Sequence, residues 1–174
     1  MSIVRILQYP DPLLRRKGIK VTDFGDATQR IIDDMFETHY AQTSCAALAA
    51  TQLNIPNAPY ITVIDFSEQK NQPLCLVNAR VIKASGEENS EEGCMSVGPG
   101  ATVFAKVSRP NMIRVQAQDR HGKPLEFDAD GFMAKCIQHE LDHLEGKLFI
   151  DYLSHLKRKR LEKILEKQKR AANR

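Results

Sequence analysis

Residues 131–145 read GFMAKCIQHELDHLE, and the spacing within this stretch governs the interpretation of everything around it. Its apolar residues recur at helical intervals, Asp130 stands where a helix N-cap belongs, and Gly146 stands where a helix stops. His139 and His143 are four residues apart, so both imidazoles project from one helix face, about 6 Å apart along the axis. With Glu140 they form an HExxH pattern, the spacing by which one helix offers two nitrogen ligands to a single cation and places a carboxylate beside it.

Working outward, Leu48 to about Phe127 breaks into short β-rich runs at 60–66, 74–82, 102–107 and 112–119, punctuated by Pro, Gly and Asn. His121-Gly122 reads as a hairpin turn before PLEFDA. Residues 26–43 place Ile31, Ile32, Met35, Phe36 and Tyr40 at helical spacing with Asp26 as N-cap. Residues 153–170 set Leu153, Leu156, Leu161, Ile164 and Leu165 in one stripe against Lys and Arg. The order helix, many strands, helix, helix predicts an α+β fold: short, mostly antiparallel β-sheets packed around the central HExxH helix, with an N-terminal amphipathic helix and a C-terminal basic helix. Residues 1–152 are expected to form the body of one domain, and residues 153–174 the terminal helix attached to it.

The chain has 174 residues, 42% of them hydrophobic and 27% charged, which suits one globular domain and excludes a disordered chain. No apolar stretch is long enough for a membrane span and no export signal is visible, so residence in the cytoplasm is expected. Four cysteines are too few for a disulfide scaffold. The formal charge of +3 is unevenly distributed: residues 157–174 carry nine Lys/Arg and two Glu, a net +7, which leaves −4 on the remainder. A basic tail on an acidic body suits a polyanionic partner.

A mononuclear catalytic site takes a third protein ligand. Glu145 faces about 200° away from His143 around the helix, and His155 lies beyond the stop at Gly146, so neither supplies it well. Cys136 shares the histidine face but lies about 7 to 8 Å away along the axis, its short side chain tilted off the ion, and reads as a core thiol. Cys94, in Glu91-Glu92-Gly93-Cys94-Met95-Ser96, sits in a Gly-flanked strand or turn from which a thiolate can approach, and is the better candidate.

EGCMS at 92–96 and QHELDH at 138–143 resemble two of the three signature motifs of the peptide deformylases. CAALAATQ at 45–52 resembles the third, and the likeness runs from Tyr9-Pro10-Asp11-Pro12 to Asp151-Tyr152-Leu153. The resemblance implies a metallohydrolase that removes the formyl group from the N-terminal formyl-methionine of nascent polypeptides and releases formate. It implies one Fe(II) ion per chain, replaceable by Ni(II), Co(II) or Zn(II), on Cys94, His139 and His143. Such an ion lowers the pKa of a bound water and so provides hydroxide at neutral pH, with Glu140 as the general acid/base. By the same resemblance the Gln52 amide and the Met95 backbone N–H stabilise the charge that develops on the formyl oxygen. The substrate pocket is expected among Ala46 and Ala47 of the first motif, Glu92 and Gly93 of the second, and Phe132, Lys135 and Cys136 on the helix. A monomer is expected, with ribosomal RNA as a partner of the basic helix.

The sequence departs from the family pattern at three places. Cys45 and Ala47 stand where deformylases usually have glycine, which adds β-carbons beside the cleft. Gly98-Pro99-Gly100-Ala101 replaces the usual stretch after the cysteine motif. Lys135 occupies a commonly apolar position near the pocket for the methionine side chain, where its stem packs and its ammonium reaches water, or where it shifts specificity toward an acidic or polar first side chain. Two other readings fit less well: an HExxH endopeptidase, which lacks its downstream ligand, and a catalytically impaired ribosome- or RNA-binding paralogue.

Overall fold

The structure is a computed structural model, described over residues 2–172. Helix α1 spans Asp26–Tyr40, α2 Gly131–Leu144 and α3 His155–Ala172. The strands are β1 (Ala47–Ala49), β2 (Ile61–Ile64), β3 (Leu74–Ser85), β4 (Glu88–Gly93), β5 (Phe104–Arg109), β6 (Met112–Gln118) and β7 (Pro124–Asp130). They form a five-stranded sheet in the order β1-β2-β3-β6-β7 and a separate β4-β5 ribbon, and every strand pair is antiparallel. The architecture is the α+β arrangement expected, with α2 packed on β1, β2, β3, β6 and β7.

β2 (ITVI) is buried at all four positions because α1 and α2 both pack against it, so it shows no alternation. β6 does alternate: Ile113, Val115 and Ala117 face inward and pack with Ala134 and Ile137 of α2. A third cluster joins Leu7, Leu14, Cys94, Val97, Val103 and Phe149 to Leu161 of α3. Together these clusters hold α2 and the segment after β4 against one another.

Several boundaries differ from the expectations. Helix α1 stops at Tyr40 rather than Thr43, and its N-cap is Gly25, not Asp26, which sits in the first turn. The Asp23 side chain accepts from Gly25 N–H at 2.9 Å and organises that entry. Asp130 occupies the N-cap of α2, yet its side chain makes no capping bond. At the other end Gly146 has φ +75°, and a β-carbon there would lie 2.3 Å from the Arg15 carbonyl oxygen, so both conformation and space require glycine. Gly122 has φ +85° in the β6-β7 turn, whose Asp119 side chain accepts from the N–H groups of His121 and Lys123.

Helix α3 begins at His155 rather than 153, so Leu153 precedes it, and the expected five-residue stripe is only partly docked. Leu161 is buried and Leu153 and Leu165 pack on the body, but Leu156 is 69% and Ile164 49% exposed. At about 100° per residue Leu156 stands about 180° from Leu165, so one helix cannot bury both. None of the described helices is long and apolar enough to cross a membrane.

Candidate metal centre and substrate cleft

Three elements converge at the site. β4 ends at Gly93 and delivers Cys94, a 3₁₀ turn at Ala50–Gln52 follows β1 and delivers Gln52, and α2 delivers His139, Glu140 and His143. The Cys94 Sγ lies 3.2 Å from His143 Nε2, which lies 3.2 Å from His139 Nε2. One donor atom from each of Cys94, His139 and His143 falls within 4.8 Å of the others. A tetrahedral ion with bonds of about 2.0 to 2.3 Å separates its donors by about 3.3 to 3.6 Å, so the Cys94–His143 and His143–His139 separations match a shared ion closely, and the third pair, within 4.8 Å, completes a group that one ion can draw together. The donor chemistry also fits, since two imidazoles and a thiolate suit Fe, Ni, Co or Zn and would be a poor set for Ca or Mg.

The ligands are held from behind. His139 Nδ1 lies 2.9 Å from Glu92 Oε2, and Glu92 accepts two bonds from Arg109, which also binds Asp142 at 2.8 Å. Tyr152 O–H donates to the same Asp142 oxygen at 2.8 Å, and the Arg109 guanidinium lies 4.9 Å from the Tyr152 ring centre. Burial pushes the Glu92 carboxyl up, but His139 and Arg109 pull harder and hold it at about 2. It therefore remains an anion, able to fix the ring of His139 so that Nε2 faces the other donors. The backbone carbonyl of His143 accepts from Thr51 O–H at 2.8 Å, which ties the 3₁₀ turn to α2.

Glu140 is 4% exposed, and its Oε2 is without a partner among the described residues. Burial and the Glu92 carboxylate push its carboxyl up to about 7 against the pull of His139 and Arg109. Gln52 is also buried, and its Oε1 accepts from Ala49 N–H at 2.8 Å. That bond turns its NH₂ toward the site, where Nε2 lies 3.2 Å from Ser96 Oγ and 3.5 Å from Cys94 Sγ. Met95 is half-buried on the cleft wall, and its N–H is bonded to no acceptor among the described residues.

A cleft of about 310 Å³ opens in front of these groups. Cys45, Ala46 and Ala47 form one wall, Glu91 to Met95 the other, and Phe132, Lys135, Cys136, His139 and Glu140 line the side given by α2. Cys136 lines the cleft and lies outside the donor group. The Cys45 thiol donates to the Ala47 carbonyl at 3.2 Å. Lys135 is half-buried, its ammonium 3.2 Å from the Glu91 carbonyl oxygen. Glu145 is occupied elsewhere, by Tyr60 and Lys17.

The sequence reading did not single out Arg109, Asp142, Tyr152, Ser96 or Phe104. Asp142 lies inside the HExxH segment, three residues from His139, and Ser96 closes the EGCMS motif two residues after Cys94, so these two had a local signal. Phe104 covers Gly93 so closely that a β-carbon there would approach its ring to 2.6 Å, a contact across β4 and β5 that no spacing announces.

The sequence profile of the polypeptide deformylase family matches residues 3–159. Peptide deformylase 1 of Coxiella burnetii is 63% identical over 166 residues, covering 95% of this chain and 96% of the relative. A crystal structure of a peptide deformylase from Legionella pneumophila superposes with a TM-score of 0.91 at 40% identity, over 99% of both chains. One from Ehrlichia chaffeensis in complex with actinonin gives 0.86 at 34% identity, over 97% of this chain and 99% of that one. With the match spanning nearly its whole length, the chain belongs to the polypeptide deformylase family.

Proposed function

We propose that the chain removes the formyl group from the N-terminal formyl-methionine of nascent polypeptides, with Cys94, His139 and His143 holding an Fe(II) ion that Ni(II), Co(II) or Zn(II) can replace. The observation that carries this reading is the convergence of those three donors beside Glu140, whose buried oxygen has no other partner among the described residues. When bound, the ion supplies Lewis acidity and makes water a competent nucleophile at neutral pH. Glu140 is the proton carrier: its free oxygen takes a proton from the attacking water and returns one to the departing amine nitrogen, for which a carboxyl near neutrality is suited. Gln52 Nε2 and Met95 N–H are the donors for the oxygen of the formyl group as it gains charge.

The peptide lies between two sheet edges. Among the described residues β1 pairs only with β2 and β4 only with β5, so the flanks of both that border the cleft offer backbone groups to an extended chain. The substrate pocket comprises Ala46 and Ala47 on one edge, Glu92 and Gly93 on the other, and Phe132, Lys135 and Cys136 on α2. The enzyme works as a cytoplasmic monomer whose body, residues 1–152, is followed by a helix directed at ribosomal RNA.

Formate release from a formylated dipeptide by anaerobically prepared enzyme tests the reaction, with Glu140→Ala expected to lower kcat by about 10² or more. Cleavage of casein instead would favour an endopeptidase, and metal binding without turnover a non-catalytic paralogue. Anomalous diffraction at the iron, nickel and zinc edges identifies the ion and its ligands together.

A further inference from the structure

Lys135 is the only Lys or Arg lining the cleft among the described residues. It lies one turn before His139 on α2, about 6 Å along the axis. Its Nζ donates to the Glu91 carbonyl oxygen at 3.2 Å and stands 5.1 Å from the centre of the Phe132 ring. An ammonium has three N–H donors, so one carbonyl and one ring leave donors open. Among the described residues no carboxylate lies within 4.0 Å of it. Glu92, the nearest acidic neighbour in sequence to Glu91, is fully engaged by Arg109 and His139. Across the cleft Cys45, Ala46 and Ala47 offer no countercharge. The Glu91 and Glu140 side chains line the same cleft, yet neither carboxylate is in an ion pair with Lys135, so the wall presents an ammonium positioned by two contacts and with donors still open.

An extended peptide advances about 3.3 Å per residue. Its successive side chains point to opposite sides, so with its formyl carbon beside Cys94, His139 and His143 one of its first two side chains faces the wall that carries this ammonium. We propose that Lys135 is a specificity-determining residue that receives the carboxylate of an acidic side chain at the first or second position of the formylated peptide. The proposal rests on the deformylase reading. A purely structural lysine, pinning α2 to β4 through the Glu91 carbonyl, would affect all substrates alike, whereas a charge receptor separates Glu from its neutral isostere Gln.

The test compares kcat/KM of the metal-loaded enzyme for formyl-Met-Glu-Ser against formyl-Met-Gln-Ser, and for formyl-Glu-Ala-Ser against formyl-Gln-Ala-Ser. The expected result is a preference for Glu over Gln of about two- to five-fold at one of the two positions, the range of a partly exposed ion pair. It disappears in Lys135→Met, which keeps the stem, and persists in Lys135→Arg. A Glu/Gln ratio of one at both positions in the wild type, or an unchanged ratio in Lys135→Met, overturns the proposal. Should Lys135→Met fold poorly, salt titration of the wild type decides: the preference must weaken as salt rises, and a salt-independent preference is equally fatal. Absence of formate from formyl-Met-Gln-Ser would instead strike the deformylase reading, so the two failures are distinguishable.

Discussion

Glu92 acts in two directions, gripping the Nδ1 side of His139 with one oxygen while both of its oxygens accept from Arg109. A carboxylate placed there sets which imidazole nitrogen faces the other donors and raises its basicity, so losing such an outer group weakens metal affinity even with every ligand in place. Glu92→Gln keeps the shape but gives up the negative charge and one acceptor. We expect it to weaken metal binding by about 10- to 100-fold, read by competition with a chelator. Circular dichroism of the loaded variant should stay close to wild type, because Arg109 retains Asp142. An unchanged affinity would mean that His139 is oriented by packing alone. Gln52 poses a separate question, since its amide is turned toward Cys94 by a single bond from Ala49 N–H. If Gln52 is the donor proposed above, Gln52→Glu replaces its NH₂ by a carboxylate oxygen, and formate release should fall by about 10² to 10³, the loss typical of one such donor. Metal content of the same variant distinguishes lost catalysis from lost loading.

The elements differ in how plainly local sequence announces them. Helix α2 was legible because its histidine spacing and its stop at Gly146 are all encoded within sixteen consecutive residues. β1 and β4 were not. β1 is Ala-Leu-Ala, too short for alternation, and β4 is Glu-Asn-Ser-Glu-Glu-Gly, polar residues that form a strand through their register with β5 and not through propensity. β5 was legible as a strand, expected at 102–107 and found at Phe104–Arg109, a two-residue shift that brings Arg109 level with Glu88 in the ribbon. Arg109 was invisible as a site residue because its partners Glu92 and Asp142 lie 17 and 33 residues away. One clamp between elements can be tested directly. Asp151 accepts from Arg15, from Leu148 N–H at 2.9 Å and from Arg158 at 3.3 Å, joining the N-terminal segment, the turn before α3 and α3 itself. Burial pushes its carboxyl up, but these bonds outweigh that and hold it below the ordinary carboxylate range. A depressed folded-state pKa contributes stability above the unfolded value and loses it as pH falls through the folded one. Asp151→Asn should therefore lower Tm by about 2 to 4 °C at neutral pH. The gap between variant and wild type should shrink below about pH 4, where the unfolded-state carboxyl also protonates. A gap constant with pH would assign the loss to packing.

Over the whole molecule the decisive asymmetry is between an acidic body and a helix whose docked and outer faces differ in kind. Toward the body α3 turns Leu161 and Leu165, and Tyr9 O–H donates to Glu162 at 2.8 Å. Placing successive residues about 100° apart puts Lys159, Arg160, Lys163, Lys167 and Arg170 on the arc opposite Leu165, and all five are exposed. A row of cations with no acidic residue among them suits a polyphosphate surface such as ribosomal RNA. Deleting residues 157–174 is a poor test, since it strips Leu161 from the cluster that contains Cys94 and confounds binding with damage to the site. Replacing Lys159, Lys163 and Lys167 by Glu alters the outer arc and leaves the docked face intact. Formate release from a dipeptide should then stay within about two-fold of wild type, because the substituted side chains lie outside the cleft. Co-sedimentation with ribosomes should weaken by about ten-fold or more, and the slope of log affinity against log salt should become shallower by about two to three, one unit or slightly less for each phosphate no longer neutralised. Binding that survives the triple replacement with its salt slope unchanged would place any ribosome contact elsewhere on the molecule, and would leave the basic arc as a solvated surface of the terminal helix.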